Sequence, residues 1–198
     1  MKTNISDIKW LRGGLYGAIT YITALSFTVM WFYFDHYRTP IRAGLENSDS
    51  PIGATVAAGV GTFYNGHFVA GPRNFIVAFG EGGGYLVTPM YHIVPIVIIL
   101  LVAGAFVYTE VDATDRLGAL LSGASLATGY VVLSVGVAFA FNSVAPSGIS
   151  YFPIPLGMVV VSGFLYAAVL GGVAGVVAGE IKGYVGDGAS APGVERNM

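Results

Sequence analysis

Three histidines are the side chains of this sequence best suited to hold a metal ion. They are His36, His67 and His92, and imidazole is the commonest transition-metal ligand. With Asp35 or Glu81 they could form a copper or zinc site. Their spacing does not favour one, because the chain has no His-x-His and no histidine pair four residues apart. We therefore expect no metal and no cofactor, with His92 at a helix end and His67 hydrogen-bonded inside a loop.

Two glycine-rich runs could bind a phosphate, but each lacks the rest of the required motif. The run from Gly80 to Gly84 contains Gly-x-Gly with no Gly-Lys-Ser or Gly-Lys-Thr after it. The run from Gly171 to Gly175 lies inside an uninterrupted apolar segment. A hairpin connection and close helix packing explain the two runs better.

Composition excludes several classes of protein. The chain has no cysteine, which removes disulfides and thiol catalysis, and its net charge of −2 offers no basic surface for nucleic acid. Serines, histidines and acids occur singly and outside any catalytic motif, so we expect no enzyme activity. The sequence is 55% hydrophobic and 10% charged, whereas soluble domains are about a quarter charged. This composition predicts an integral membrane protein.

Four apolar stretches are long enough to cross a bilayer, which needs about 20 residues. None of them contains Lys, Arg, Asp or Glu; they are Leu15–Phe34, His92–Tyr108, Leu117–Phe141 and Leu156–Ala178. The fold class predicted is an all-α membrane protein, a bundle of four transmembrane helices. Thr114 or Asp115 can cap the start of the third helix.

Small residues recur every fourth position in the last stretch and predict a helix-packing face. They are Gly163, Ala167, Gly171, Gly175 and Gly179. The third stretch carries hydroxyls at Ser122, Ser125, Thr128 and Ser134. We expect these hydroxyls to bond between helices rather than to line a pore, because ion pathways usually require an ionisable residue within the spans.

The connection between the first two spans, residues 35–89, is predicted to be an external domain with its own structure. Ile52–Phe63 reads as a short helix at the membrane interface or against the bundle, with Phe63, Tyr64 and Phe68 at headgroup level. A re-entrant segment is the less favoured alternative. Asn74–Thr88 predicts a β-hairpin around a glycine-rich turn.

Flanking charges predict the orientation. With residues 1–34 entering from the cytoplasm, most Lys and Arg lie inside, which places 35–89 outside and both termini in the cytoplasm. Residues 90–181 then form the remaining bundle, and 182–198 a disordered cytoplasmic tail. The predicted location is the cell membrane, and the expected partners are membrane lipids and membrane protein subunits or further copies of the chain.

The run from Phe63 to Val69, Phe-Tyr-Asn-Gly-His-Phe-Val, followed by a hairpin pattern in a four-span chain, resembles a group of small haloarchaeal integral membrane proteins of unassigned function. The resemblance implies an archaeal cell-membrane protein and carries no catalytic residue. Two functions stay open: a structural or accessory membrane protein, which we favour, and a passive pore or small-solute transporter, which would be oligomeric.

The orientation can be tested because the chain has no native cysteine. A single cysteine at Ser48 should react with an impermeant thiol reagent added to intact cells, and one at Ser190 should not. The opposite labelling pattern would reverse the topology.

Overall fold

The computed structural model describes most of the chain from Trp10 onward. The described residues are 10–36, 46–47, 50–67, 78–79, 93–110, 115–143, 149–150 and 154–188, with the backbone alone for 35–36, 78–79, 149–150 and 184–188. The helices are α1 (Trp10–His36), α2 (Pro51–Gly66), α3 (Ile93–Glu110), α4 (Arg116–Ala124), α5 (Leu126–Ser143) and α6 (Leu156–Gly188). Two short strands, β1 (Ala78–Phe79) and β2 (Ile149–Ser150), complete the described elements.

Four helical segments are long and apolar enough to cross a membrane, as the sequence predicts. They are Trp10–Phe34, Ile93–Glu110, Arg116–Ser143 and Leu156–Gly183. The last helix continues to Gly188, so residues 182–188 of the predicted disordered tail are helical.

The third span consists of α4 and α5, which meet at Ser125. Asp115 caps α4, since its Oδ1 accepts a hydrogen bond from the Gly118 amide at 2.7 Å, and this confirms one of the two predicted caps. At the junction, the Ser125 hydroxyl donates to the Ser122 carbonyl and the Thr128 hydroxyl to the Ser125 carbonyl. Such bonds back to the helix's own carbonyls compete with the regular ladder and bend helices.

The last helix is the centre of the bundle, because α6 packs against α3, α4 and α5. On its other side α5 packs against α1, and α1 also contacts α2 and α3. The α3 helix runs parallel to α6: Gly104 lies beside Gly171, and Tyr108 lies beside Gly179, further along both helices.

Charged side chains define one end of the bundle, which we call the charged end. Arg116 pairs with Glu180 at 2.6 Å, Arg12 lies 3.9 Å from Glu110, and the Lys182 ammonium lies 5.9 Å from the centre of the Tyr108 ring. At the opposite end, the Asn142 side chain forms two 2.8 Å hydrogen bonds with the backbone of Ile154, which ties the end of α5 to the start of α6.

The α2 helix enters the bundle at the opposite end and stops near its middle. The Ser50 hydroxyl caps its start, with Pro51 in the first turn. Its Gly59 lies beside Val29, and its Tyr64 reaches Tyr21, near the midpoint of the α1 span. The helix is therefore antiparallel to α1, and its 16 residues span a length of about 24 Å from the end of the bundle toward its middle.

The chain then returns to the end from which it entered, because β1 pairs with β2 between α5 and α6. The pairing is antiparallel and joins Ala78 to Ser150 and Phe79 to Ile149. The hairpin predicted over Asn74–Thr88 is not supported: the described strand within it pairs with a distant segment, while Gly80–Thr88 lies outside the described residues. An apolar extended run specifies a strand without specifying its partner.

Phe63 and Tyr64, which the sequence analysis placed at headgroup level with Phe68, lie inside the bundle, while Phe68 is outside the described residues. Phe63 is 0% exposed and Tyr64 is 1% exposed, and both lie in the core formed with α1 and α5. The path of α2 corresponds to the re-entrant alternative that the sequence analysis favoured less.

The residues of the predicted packing face line the seams around α6. A β-carbon on Gly171 would lie 2.5 Å from the Gly123 carbonyl oxygen, and one on Gly175 would overlap the Ala119 carbonyl oxygen. By contrast, a β-carbon on Gly163 would meet nothing closer than 3.7 Å. Ala167 is fully buried in the core.

Replacement of Gly171 or Gly175 by Ala should lower the free energy of unfolding by about 1–3 kcal/mol, because each added methyl group must separate two helix backbones. Gly163→Ala is the matched control in the same helix, and it should leave stability unchanged or slightly raised. Thermal unfolding in detergent measures all three. Equal melting temperatures would contradict the described backbone contacts.

Candidate functional site: a buried histidine and tyrosine cluster

The end of α2 carries a histidine into the interior of the bundle. The helix approaches its neighbours closely because glycines face them: a β-carbon on Gly59 would lie 2.9 Å from the Val29 Cα, and one on Gly66 would lie 3.1 Å from the Ile96 Cδ1. His67 follows directly as the C-terminal cap, 2% exposed. Its partner Tyr130 lies near the midpoint of the third span.

The imidazole of His67 has a hydrogen-bond partner at each nitrogen. Nδ1 lies 2.8 Å from the Phe63 carbonyl oxygen, and Nε2 lies 2.6 Å from the Tyr130 hydroxyl. Because a carbonyl oxygen only accepts, Nδ1 carries the proton of the neutral ring. Nε2 then accepts, and Tyr130 donates to it. The bond joins α2 to α5.

A second pair of hydroxyls joins three helices. The Tyr64 hydroxyl lies 2.5 Å from the Ser134 carbonyl oxygen and 2.8 Å from the Tyr21 hydroxyl. Since Tyr64 donates its proton to the carbonyl, Tyr21 must donate to Tyr64. This chain of two bonds runs from α1 through α2 to α5, and both tyrosines are buried.

Ring contacts fill the space between these hydrogen bonds. Tyr21 meets Phe63 and Tyr130 edge-on, with 5.2 Å between ring centres in each pair. The His67 ring lies 5.1 Å from the ring of Tyr166 on α6. The cluster thus contains side chains from α1, α2, α5 and α6, and we call it the His67 cluster: Tyr21, Phe63, Tyr64, His67, Tyr130 and Tyr166.

Thr62 adds an unsatisfied group one residue before the cluster. It is 1% exposed, and its hydroxyl has no hydrogen-bond partner in the described part of the chain. By comparison, Thr20, Thr28 and Thr55 each donate to the carbonyl four residues earlier. Burying a hydroxyl without a partner costs about 1–3 kcal/mol.

The polar groups of the His67 cluster form hydrogen bonds with one another and with backbone carbonyls. They are the imidazole of His67 and the phenol hydroxyls of its tyrosines. Among the described residues no group of three His, Cys, Asp or Glu side chains could hold a metal ion. The side chains of His36 and His92 lie outside what the structure describes, as does the run from Gly80 to Gly84.

Three of the four predicted hydroxyls of the third span bond within their own helix, whereas the fourth, Ser134, forms the expected interhelical hydrogen bonds, to the side chains of Tyr21 and Tyr64. Ser122 donates to the Gly118 carbonyl at 2.6 Å, and Ser125 and Thr128 donate to carbonyls three residues earlier. Their protons are therefore not used in the interhelical bonds that the sequence analysis expected. The close approach of α1 to this helix comes instead from Gly13, Gly14 and Gly17.

Sequence analysis placed His67 in an external loop because it favoured a short helix at the interface or against the bundle over a re-entrant segment. The sequence nevertheless contains a pattern that indicates burial of His67. The apolar run over Ile52–Phe63 is too short to cross a membrane yet leads directly into Tyr64 and His67. A short apolar helix that ends in hydrogen-bonding side chains is suited to burial inside a bundle.

A family match covers most of the chain. Residues 2–182 match the model of a "Family of unknown function (DUF7978)". The chain belongs to this family. No curated protein and no solved structure matches the chain.

Tyr130→Phe should lower the free energy of unfolding by about 1–3 kcal/mol, because it leaves Nε2 of buried His67 without a donor. Tyr16→Phe is the control, since the Tyr16 ring is only half-buried against Phe106. Denaturation in detergent, monitored by circular dichroism, measures both.

The double variant His67→Phe, Tyr130→Phe should lose less stability than the sum of the two single variants, because each single change leaves an unpaired partner. Strictly additive losses would mean that the two side chains are not coupled.

Proposed function

We propose that the protein is a structural or accessory integral membrane protein, a compact bundle that packs or assembles with other subunits of a membrane complex. Four helices with the length and composition of membrane spans support this placement. The proposed location is the cell membrane, with both termini in the cytoplasm and the connection between α1 and α3 entering the bundle from the outer side. The resemblance to haloarchaeal membrane proteins favours an archaeal source.

The observation that carries the proposal is the closure of the seams between helices. Gly17 and Gly129 bring the backbones of α1 and α5 together, and Gly104, Gly123 and Gly171 do the same for α3, α4 and α6. These contacts bring the helix backbones together along the seams that the structure describes. A rigid bundle of this kind is suited to display and assembly rather than to conduction.

A small-solute transporter is the second candidate, and the His67 cluster favours it. Titratable residues at membrane depth are rare and mark transport pathways often enough to be treated as functional candidates. Re-entrant helices that end near the middle of a bundle occur in channels and transporters. The unsatisfied Thr62 hydroxyl next to the cluster offers a polar group to a solute.

Reconstitution into liposomes distinguishes the two candidates. An accessory protein should give the same flux of protons, potassium and glycerol as protein-free liposomes, because the seams are closed. The Tyr130→Phe variant, reconstituted in parallel, is the matched comparison. Flux above the protein-free level that changes in Tyr130→Phe would overturn the accessory proposal in favour of transport through the His67 cluster.

The accessory function also predicts that the protein copurifies with a partner. Protein purified from native membranes after mild crosslinking should bring a defined membrane protein with it in fixed stoichiometry. Purification of the chain alone, together with measurable flux, would leave the accessory function without support.

A further inference from the structure

A groove of about 750 Å³ lies between α1 and α2, in the half of the bundle away from the charged end. Most of its lining is aliphatic or aromatic: Leu25, Val29, Met30, Phe32, Phe34, Ile52, Val56 and Val60. This volume and this lining are those of a site for an apolar ligand.

The shape of the groove follows from the contact between the two helices. Gly59 lets α2 touch the backbone of α1 at Val29, so the groove is a seam between helices in contact. Phe32, at 0% exposure, and Val60, at 7%, are its most buried walls. Ile52, at 81% exposure, stands at its mouth. The groove therefore opens sideways, on the apolar outer surface of the bundle.

Polarity changes along the groove. Glu46, an ionisable carboxylate among the described lining residues, precedes α2 and lies toward the end of the bundle at which α2 begins. Leu25 and Val60 lie toward the middle of the bundle, where Ser26 is the polar residue among the described lining residues. A ligand that matches this order has a polar group near the end of the bundle and a hydrocarbon chain directed toward its middle.

We propose that this groove binds the acyl chain of a membrane phospholipid. The inference rests on the membrane placement proposed above. An α-helix with side chains is about 10–12 Å wide and could only lie across the mouth of a seam between two touching helices. A hydrocarbon chain is narrow enough to follow the seam past Phe32 to Leu25 and Val60. The groove also opens where hydrocarbon is the surrounding solvent of a four-span bundle.

The bound chain would fill the seam on the outer side of α2 and hold this helix against α1. The position of the His67 cluster would then depend partly on the lipid, because α2 carries both His67 and the groove wall. A protein stripped of lipid should therefore be less stable than one supplied with phospholipid.

Native mass spectrometry of protein purified in mild detergent with phosphatidylethanolamine, a lipid with no net charge to be repelled by Glu46, tests the site. The wild type should retain one lipid per chain. Val56→Phe, which fills the groove, should reduce the retained fraction at least fivefold. Val160→Phe is the matched control, because Val160 is 44% exposed against 46% for Val56, and it lies on α6 outside the groove lining. This control should retain lipid like the wild type.

Tryptophan fluorescence gives a second measurement on folded protein. Trp31 lies beside Met30 and Phe34, which line the groove, and Trp10→Phe leaves it as the only tryptophan. A phospholipid with brominated acyl chains should quench Trp31 saturably, near one lipid per chain, and Val56→Phe should abolish the saturable part.

Three results would overturn the proposal. Equal lipid retention in all variants would place the lipid elsewhere on the bundle. Loss of a wild-type dimer in Val56→Phe, without a change in lipid, would assign the groove to a second copy of the chain. Absence of both retained lipid and saturable quenching in the wild type would show that the groove binds no chain. A flux result against the accessory function would leave these measurements unaffected.

Discussion

The bundle depends on contacts between helix backbones at glycine positions. In hydrocarbon the apolar surfaces of helices gain little by leaving their solvent, so association rests on close packing and on weak contacts between backbones. Gly129 lies against the backbone of α1, and Gly171 lies against the backbones of both α3 and α4. A β-carbon at either position would overlap a backbone atom of the neighbouring helix. The same requirement operates at Gly59, where α2 meets α1, and it therefore fixes the depth to which α2 enters.

Once α2 is inside, its polar end must be satisfied there. A buried polar group without a partner is costly, and a titratable side chain more so. His67 forms a local hydrogen bond to the Phe63 carbonyl and a second one across the bundle with the Tyr130 hydroxyl. Tyr64 does the same through Tyr21 and Ser134. These directional bonds give α2 a defined position and rotation, which apolar packing specifies less strictly. The unsatisfied hydroxyl of Thr62 is the exception within the described chain.

Two surfaces of α2 thus have different roles. Its deep end contributes the His67 cluster, in which every ring contacts another ring or an imidazole. Its outer flank borders the groove along α1. If the groove binds a lipid as proposed, a helix held by hydrogen bonds at one end and bordering the groove along its side would link the surrounding bilayer to the interior of the bundle. The structural and accessory function proposed above is compatible with such a link, and the transporter alternative would use the same elements.

The sequence alone determined the membrane class, the four spans and the Asp115 cap, because the length of an apolar stretch and the capping of a helix depend on residues that are neighbours in the sequence. It also located the glycine face of the last span, since a period of four is a local pattern. The partners of these elements were decided only by tertiary structure. The segment beginning at Ile52 has the same apolar composition whether it lies on a membrane surface or inside a bundle. Its burial depends on glycines of α2 meeting Val29 and Ile96, which are far away in sequence. The strand at Ala78–Phe79 was equally compatible with a local hairpin and with Ile149–Ser150. His67 acquired its environment from Tyr130, 63 residues away, and no local pattern specifies a contact over that separation.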